Sequence, residues 1–439
     1  MKTKSMKIRL LVLGVIALFL STVSCKEKGC TDPNASNYDP SAEKDDGSCV
    51  IIDPPQDSLT HVSGSIASDV TWTPDQIYLL EGKVVVANGA TLTILPGTII
   101  KGDQGTESLA SALIIARGAQ INACGAASQP IIFTSVLDDI QIGQLSGTNL
   151  QENDFGLWGG LIVLGNAPIS AGDGDTESQI EGIPAVESYG AFGGTNPTDN
   201  SGSLCYISIR HGGTALSAGK EINGLTLGGV GSSTTINNIE VIANFDDGIE
   251  FFGGTVNASN LIVGFQGYDG IDVDMNYSGT ISNFVVVNGG LSDEALEIDG
   301  PEGSTYTSGL FNLTDGSVWA YGGAQARGEF KSKAQGTITN VNVDTVKVRI
   351  SFESDCSTLK TDAWTHLTQA SPTLVFSGTE FSIVDVFTST KDPNDDPCTG
   401  VPTAFQQSDA ENAMSSTTAT GADASVFNSW SWMAYHSKL

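Results

Sequence analysis

Positive charge is scarce in this chain. Its 439 residues include 20 Lys and Arg against 50 Asp and Glu, a formal net charge of −30. From Glu221 to Ala326 there is no Lys, Arg or His. A surface of this sign repels nucleic acid and anionic lipid and favours cations, so a nucleic-acid partner is excluded. Also missing is any apolar run long enough for a membrane helix. The one candidate, Leu10–Leu20, is too short to span a bilayer. Helical periodicity is absent through the middle of the chain. In its place are 51 Gly and abundant Ser, Thr and Asn, which suit turns and short strands.

The short apolar run has an address to offer. Lys2, Lys4, Lys7 and Arg9 precede it and "STVSC" follows, ending at Cys25. This order reads as an export signal over 1–24. The final five residues resemble a bacterial lipoprotein box, which implies diacylation of Cys25 and anchoring in outer-membrane lipid, facing the cell exterior. "CKEK" (25–28) is loosely similar to the surface-export signal of Bacteroidetes lipoproteins, with Lys28 interrupting the acids. Removing 1–24 takes four of the 20 bases and none of the 50 acids, leaving 16 bases and a formal charge of −34.

Seven Cys then divide into one lipid acceptor and six others, an even number that suits disulfides in an exported protein. Cys30 with Cys49 brackets a short acidic loop, and Cys356 with Cys398 makes a second pair. Cys124 and Cys205 are left as either a third pair or two buried thiols. Residues 25–57 read as a tether too polar to bury a core. "GCTDPNASNYDPSAEKDDGSC" (29–49) resembles a Cys-bounded repeat of secreted proteins from marine and Bacteroidetes bacteria. Asp32, Asp39, Asp45 and Asp46 offer calcium hard oxygens at loop spacing; a disulfide-stapled spacer explains the segment equally well.

From about residue 60 the pattern changes to short β-branched runs broken by Gly, Asn and Pro, with apolar centres at Val85, Leu92 and Ile99 seven residues apart. The middle of the chain repeats. Asn238, Asn260 and Asn283 each precede an apolar strand, 22 and then 23 residues apart, and Asn340 opens another. An acid follows each of the three (Asp247, Asp269, Asp293), then an inward apolar residue (Ile249, Ile271, Leu296), then an outward acid (Glu250, Asp272, Glu297). The expected fold is all-β: a parallel β-helix of about 22 residues per turn over 58–390, with loop insertions and a C-terminal cap over 391–439. Stacked Asn side chains would bond along the axis. Phe427, Trp430 and Ala434 read as part of the cap rather than a sugar platform. "GLWGGLIVLGNAPIS" (156–170), "EGIPAVESYGAFGG" (181–194), "LCYISIRHGG" (204–213) and "DDGIEFFGGTV" (246–256) make the chain similar to bacterial, often lipid-anchored β-helix proteins with a right-handed, pectate-lyase-type coil. That resemblance implies fold and location and leaves activity open.

Fourteen acids lie in the base-free stretch. Carboxylates at one phase of neighbouring turns sit about 5 Å apart and repel by roughly 3 kcal/mol at an effective dielectric of 20. Calcium is the expected relief, held by Asp246, Asp247, Asp269, Asp272, Asp274, Asp293, Glu297 and Asp299. The same acids also fit solvated Asp-Gly turns. A polysaccharide lyase needs a base, which would have to reach the column through loops. A glycoside hydrolase needs two carboxylates, for which Asp247, Asp269 and Asp272 are the alternative assignment. The Asn-Thr-Asp, Gly-His-Gly and Arg-Ile-Lys motifs of polygalacturonase-like enzymes are absent, and His211 reads as structural. The favoured reading is a non-catalytic, calcium-stabilised surface rod presenting loops to glycan or a surface protein complex.

Overall fold

Corners organise the coil. Tyr206, Asn238, Asn260, Asn283, Asp315 and Asn340 all adopt left-handed backbone, with φ between 51° and 57°. Asn and Asp tolerate this region better than other non-Gly residues, because their short polar side chains bond locally. Each of the first five bends one long strand: Gly202–Arg210, Thr235–Ile242, Asn257–Gly264, Thr280–Asn288 and Phe311–Ala320. One strand thereby contributes to two sheets. The side chains form the expected ladder. Asn260 Nδ2 donates to Asn238 Oδ1 at 3.3 Å, and Asn283 Nδ2 donates to Asn260 Oδ1 at 2.7 Å. Asn340 Nδ2 donates likewise to Asp315 Oδ1 at 2.7 Å.

This computed structural model describes residues 28–31, 40–49, 59–105, 109–217, 220–322, 324–353, 357–388 and 402–439. The chain divides into two units, Met1–Ser58 and Leu59–Leu439. In the first, Lys28–Gly29 pairs in parallel with Lys44–Asp45, and a disulfide joins Cys30 to Cys49 as expected. Cys25, Asp32, Asp39, Cys356 and Cys398 lie outside the described residues.

The second unit is a parallel β-helix whose coil strands pair with their counterparts on neighbouring turns, with two antiparallel ribbons, Glu177–Gln179 with Ala191–Gly193 and Thr214–Ser217 with Lys220–Ile222, set apart from the coil. The halves of the bent strands before and after the corner build the second and first sheets. A third sheet stacks Ala112–Ile115, Leu161–Leu164, Leu225–Gly228, Ile249–Phe252, Ile271–Asp274, Leu296–Ile298, Arg327–Phe330 and Thr345–Ile350 in parallel. Leu113, Leu161, Leu225, Ile249, Ile271 and Leu296 occupy one register position on successive turns, all buried in the central core. Burying each such side chain contributes about 1.5–3 kcal/mol. Cys124 and Cys205, left open by the sequence, are register partners on adjacent turns and form a disulfide.

Two segments leave the coil and cover it. Within the insertion, Ile169, Ile180, Ile183 and Phe192 pack on Ile114, Ile162, Leu164 and Phe252, the outward apolar residues of the third sheet. The expected cap divides in two. Its helix α2 (Ala404–Ala413) supplies Ala410 to the central core, together with Trp364 and Leu367 of helix α1 (Ala363–Thr368), which lies within the span expected to be coil. The tail beyond them, with helix α3 (Trp432–Tyr435), instead lies along the flank. There Phe427, Trp430, Trp432 and Met433 cover Ile242, Ile262, Val285 and Val287, outward residues of the first sheet. That flank is apolar and needs a cover as much as the end of the coil does.

Candidate metal centre

On the third sheet, alternation turns every second residue away from the core. One outward column reads Ile114, Ile162, Thr226, Glu250, Asp272, Glu297, Glu329, Lys347. The other passes from Leu164 and Gly228 through Phe252 to Asp274. The apolar half lies under the insertion, and the acids begin beyond it. Glu250 and Asp272 are therefore register partners on adjacent turns, as the period requires.

The turn acids do a different job. Asp247 Oδ1 accepts the amide N–H of Asp269 at 2.8 Å, and Asp269 Oδ1 accepts that of Glu294 at 2.7 Å. Each carboxylate thus satisfies a backbone donor one turn further on. The third residue of this phase is Glu294, correcting the expected Asp293. The interval from Ile249 to Ile271 is 22 residues and that from Ile271 to Leu296 is 25, so the extra residues shift the acid by one. Asp293 points outward, well exposed, and pairs with Arg327.

Carboxylate oxygens of Asp247, Glu250 and Asp272 all lie within 4.8 Å of one another. Asp247 and Glu250 are buried and Asp272 is half-buried. Glu250 accepts a hydrogen bond from Asn223 Nδ2, on the preceding turn. These acids are not solvated turn residues, which corrects the simpler reading. Burial, then the charges of Glu297 and Glu221, pushes Asp247 up to about 7. Burial and the neighbouring charges of Asp247 and Asp274 hold Glu250 well above the usual carboxylate range, and burial with Glu250 and Asp247 does the same to Asp272. Asp246 is pushed up to about 9 by burial, Asp247 and Glu221. Asp274 is raised by burial, Asp299 and Glu302. Ionising such groups in low dielectric is costly, so the cluster holds either protons or a cation.

Asp269 and Glu297 are shifted in opposite directions. Burial and the bond to Glu297 raise Asp269 to about 11; Glu297 is lowered despite its burial, by that bond and by Lys331. Lys331 pairs directly with Glu297, and Lys347 Nζ reaches Glu294 at 2.7 Å and Glu329 at 3.3 Å. The bases therefore reach the column from the next turns of the third sheet, Lys347 on its strand and Lys331 just past the end of Arg327–Phe330, rather than through inserted loops. Glu250 is a ligand position beyond those expected from the sequence. Its outward position three residues after Asp247, "DGIE", was the available signal.

The remaining expected ligands lie elsewhere. Asp45 Oδ1 accepts from Gly47 N at 3.0 Å and Asp46 Oδ1 from Ser48 N at 2.9 Å, exposed turns in the first unit. His211 is buried, with Nδ1 2.6 Å from the Asp154 carbonyl oxygen, a structural contact. For glycoside hydrolysis two carboxylates must face a substrate; Asp247 and Asp269 are buried and each commits an oxygen to backbone.

No curated protein and no solved structure matches this chain. A family model, described as the pectate-lyase like beta helix domain, matches residues 64–435, a span that includes the third sheet, the insertion and the flanking tail. The chain belongs to the pectate-lyase-like β-helix family.

Proposed function

We propose that this chain is a non-catalytic β-helix scaffold of a bacterial cell surface, braced by calcium, tethered by lipid at Cys25, and presenting its loops to extracellular glycan or a protein partner. The convergence of Asp247, Glu250 and Asp272 carries the calcium reading. Calcium takes oxygen ligands at about 2.3–2.6 Å, so two oxygens on one ion lie at most roughly 5 Å apart. The 4.8 Å limit on this triad fits, and the donors are hard oxygens only. Asp247 and Glu250 belong to one turn and Asp272 to the next, so a shared ion would join turns that otherwise repel. The surface location rests on the basic, apolar and Cys25 pattern at the N-terminus.

The test is thermal unfolding with calcium, magnesium, chelator, and sodium at matched ionic strength. Calcium should raise the melting temperature more than magnesium, which dehydrates reluctantly, and sodium should not reproduce the shift. A ligand specific to the fold adds about 2.7 kcal/mol at a hundredfold excess over Kd. The double variant Glu250→Gln, Asp272→Asn should lose the calcium shift and stay folded. A shift that survives it but disappears with Asp45→Asn, Asp46→Asn would move the ion to the first unit and overturn the assignment.

A further inference from the structure

Asn223 stands one turn before Asp247 at the same phase. Gly224 N donates to the Asp247 carbonyl at 3.0 Å, as Gly248 N does to that of Asp269 at 2.9 Å. Asn223-Gly224, Asp247-Gly248 and Asp269-Gly270 are therefore one turn repeated. The two Asp side chains each accept an amide N–H from the following turn. Asn223 does not join them. It is 3% exposed, and its Oδ1 is buried with no hydrogen-bond partner among the described residues. An acceptor left buried and unpaired costs free energy, so its place calls for a physical cause.

The other end of the same amide shows where the side chain points. Asn223 Nδ2 donates to Glu250 Oε2 and lies 3.5 Å from Thr226 Oγ1. Thr226, Glu250 and Asp272 follow one another along the outward column, so the amide sits at the foot of the carboxylate cluster. A half-turn about the Cβ–Cγ bond, a broad torsion, exchanges the oxygen and the nitrogen. The oxygen then faces the carboxylates that converge on Glu250. Calcium takes about six to eight oxygens, and side-chain amide carbonyls are among its ordinary ligands. Asp247, Glu250 and Asp272 offer three groups, and all of them carry charge when ionised. An amide oxygen adds a ligand without adding to their repulsion.

Resting on the calcium reading above, we infer that Asn223 turns its amide to give the ion a fourth, neutral oxygen ligand. One ion then ties three successive turns: that of Asn223, that of Asp247 and Glu250, and that of Asp272. The bond from Asn223 to Glu250 is the ion-free arrangement, in which an amide N–H faces the carboxylate in place of the cation.

Calorimetric titration with calcium tests this, together with terbium luminescence lifetimes in H2O and D2O, which count the waters on a bound ion. Only the binding that Glu250→Gln, Asp272→Asn removes is counted, so the first unit does not contribute. Asn223→Ala should weaken calcium at least about tenfold and leave bound terbium with an additional water. Asn223→Asp keeps an oxygen and loses the N–H donor; it should bind calcium at least as tightly as the parent, with no added water. Should the Ala variant fail to fold, Asn223→Leu, close to Asn in shape, replaces it, with melting temperatures in chelator identifying folded protein. If the parent binds calcium at the cluster and the Ala and Leu variants bind it equally well, this inference falls and the calcium reading stands. An Asp variant as weak as the Ala variant would show that Asn223 serves only as a donor to Glu250. An added water in the Asp variant would show that its charge, not a bound oxygen, supplies the affinity; either result overturns the inference. No calcium binding at the cluster by the parent would overturn the calcium reading itself, and this inference with it.

Discussion

Asp247 and Asp269 occupy the same phase of adjacent turns, and the carboxylate of the first accepts the amide N–H of the second at 2.8 Å. This bond needs an acceptor but no charge. Asp247→Asn retains an acceptor and removes a repelling charge, so without calcium its stability should match or exceed the parent. Asp247→Ala leaves a buried amide unpaired and should cost about 1–3 kcal/mol. Urea unfolding of both variants in chelator decides it; equal losses would mean that charge, not the bond, is what the fold uses.

The raised carboxyls give a pH dependence of definite sign. Asp247 titrates near 7 and Asp246 near 9 in the fold, against the ordinary value near 4 in the unfolded chain. Below about pH 4 both states are protonated and nothing is lost. As pH rises through these folded values the unfolded chain has already released its protons, so stability falls. His211 acts in the opposite sense. Burial lowers it to about 4, so its neutral form stabilises the fold above about 6.5 and that contribution is lost as pH falls toward 4. Between pH 6.5 and 8 only the carboxyl effect changes. The calcium-free melting temperature should fall over that range, and calcium should flatten the fall by replacing protons; a calcium-free profile that rises would contradict the burial of these acids.

Ile271 is stacked between Ile249 and Leu296 with no exposed surface. Ile271→Ala should cost about 2–5 kcal/mol, read from denaturant unfolding. Ser259→Ala, half-buried on the second sheet, is the comparison and should cost well under half as much.

Glu240, fully buried, accepts the backbone amides of Trp432 at 2.8 Å and Met433 at 3.0 Å. Glu240→Ala should release the tail, exposing new protease cleavage after residue 421 and the apolar flank beneath it. Each amide left buried and unpaired costs about 1–3 kcal/mol, so detachment is the cheaper outcome. Unchanged proteolysis would show that the tail is held without Glu240, by its apolar packing and its other hydrogen bonds.

If the proposed thioether-linked lipid at Cys25 supplies the membrane affinity, Cys25→Ala should move the chain from the membrane fraction to the soluble fraction. Fractionation of expressing cells reads this directly, and retention of the Ala variant would overturn the anchoring.

The coil was legible where one residue type solves one geometric problem. Asn recurs because the corner needs left-handed backbone and an axial hydrogen bond, and a single residue supplies both. Ile249, Ile271 and Leu296 were legible because inward positions tolerate little else. The acids were visible as acids, but their burial was not, because burial depends on segments far away in sequence, such as Glu181, whose charge helps to raise Glu250 and Asp246. Lys331 meets Glu297 from 34 residues further on, since the intervening turn carries a loop, and no fixed spacing announces that pairing. The tail read as a cap by its aromatics, but which face it would cover depended on the outward Ile242, Ile262, Val285 and Val287.

A solenoid is a stack whose layers touch only their neighbours, so it frays from its ends one layer at a time. The tail changes that. Running against the direction of the coil, its backbone bonds in order to Asn340 through Gly421, to Ser317 through Ala422, to Asn283 through Asp423, and to Glu240 through Trp432 and Met433. Turns that otherwise touch only their immediate neighbours share one strut. Peeling the last layer then requires stripping the strut from layers that are still intact, so the central turns should come apart together, as a block, with a slow unfolding rate that belongs to the whole column rather than to its weakest layer.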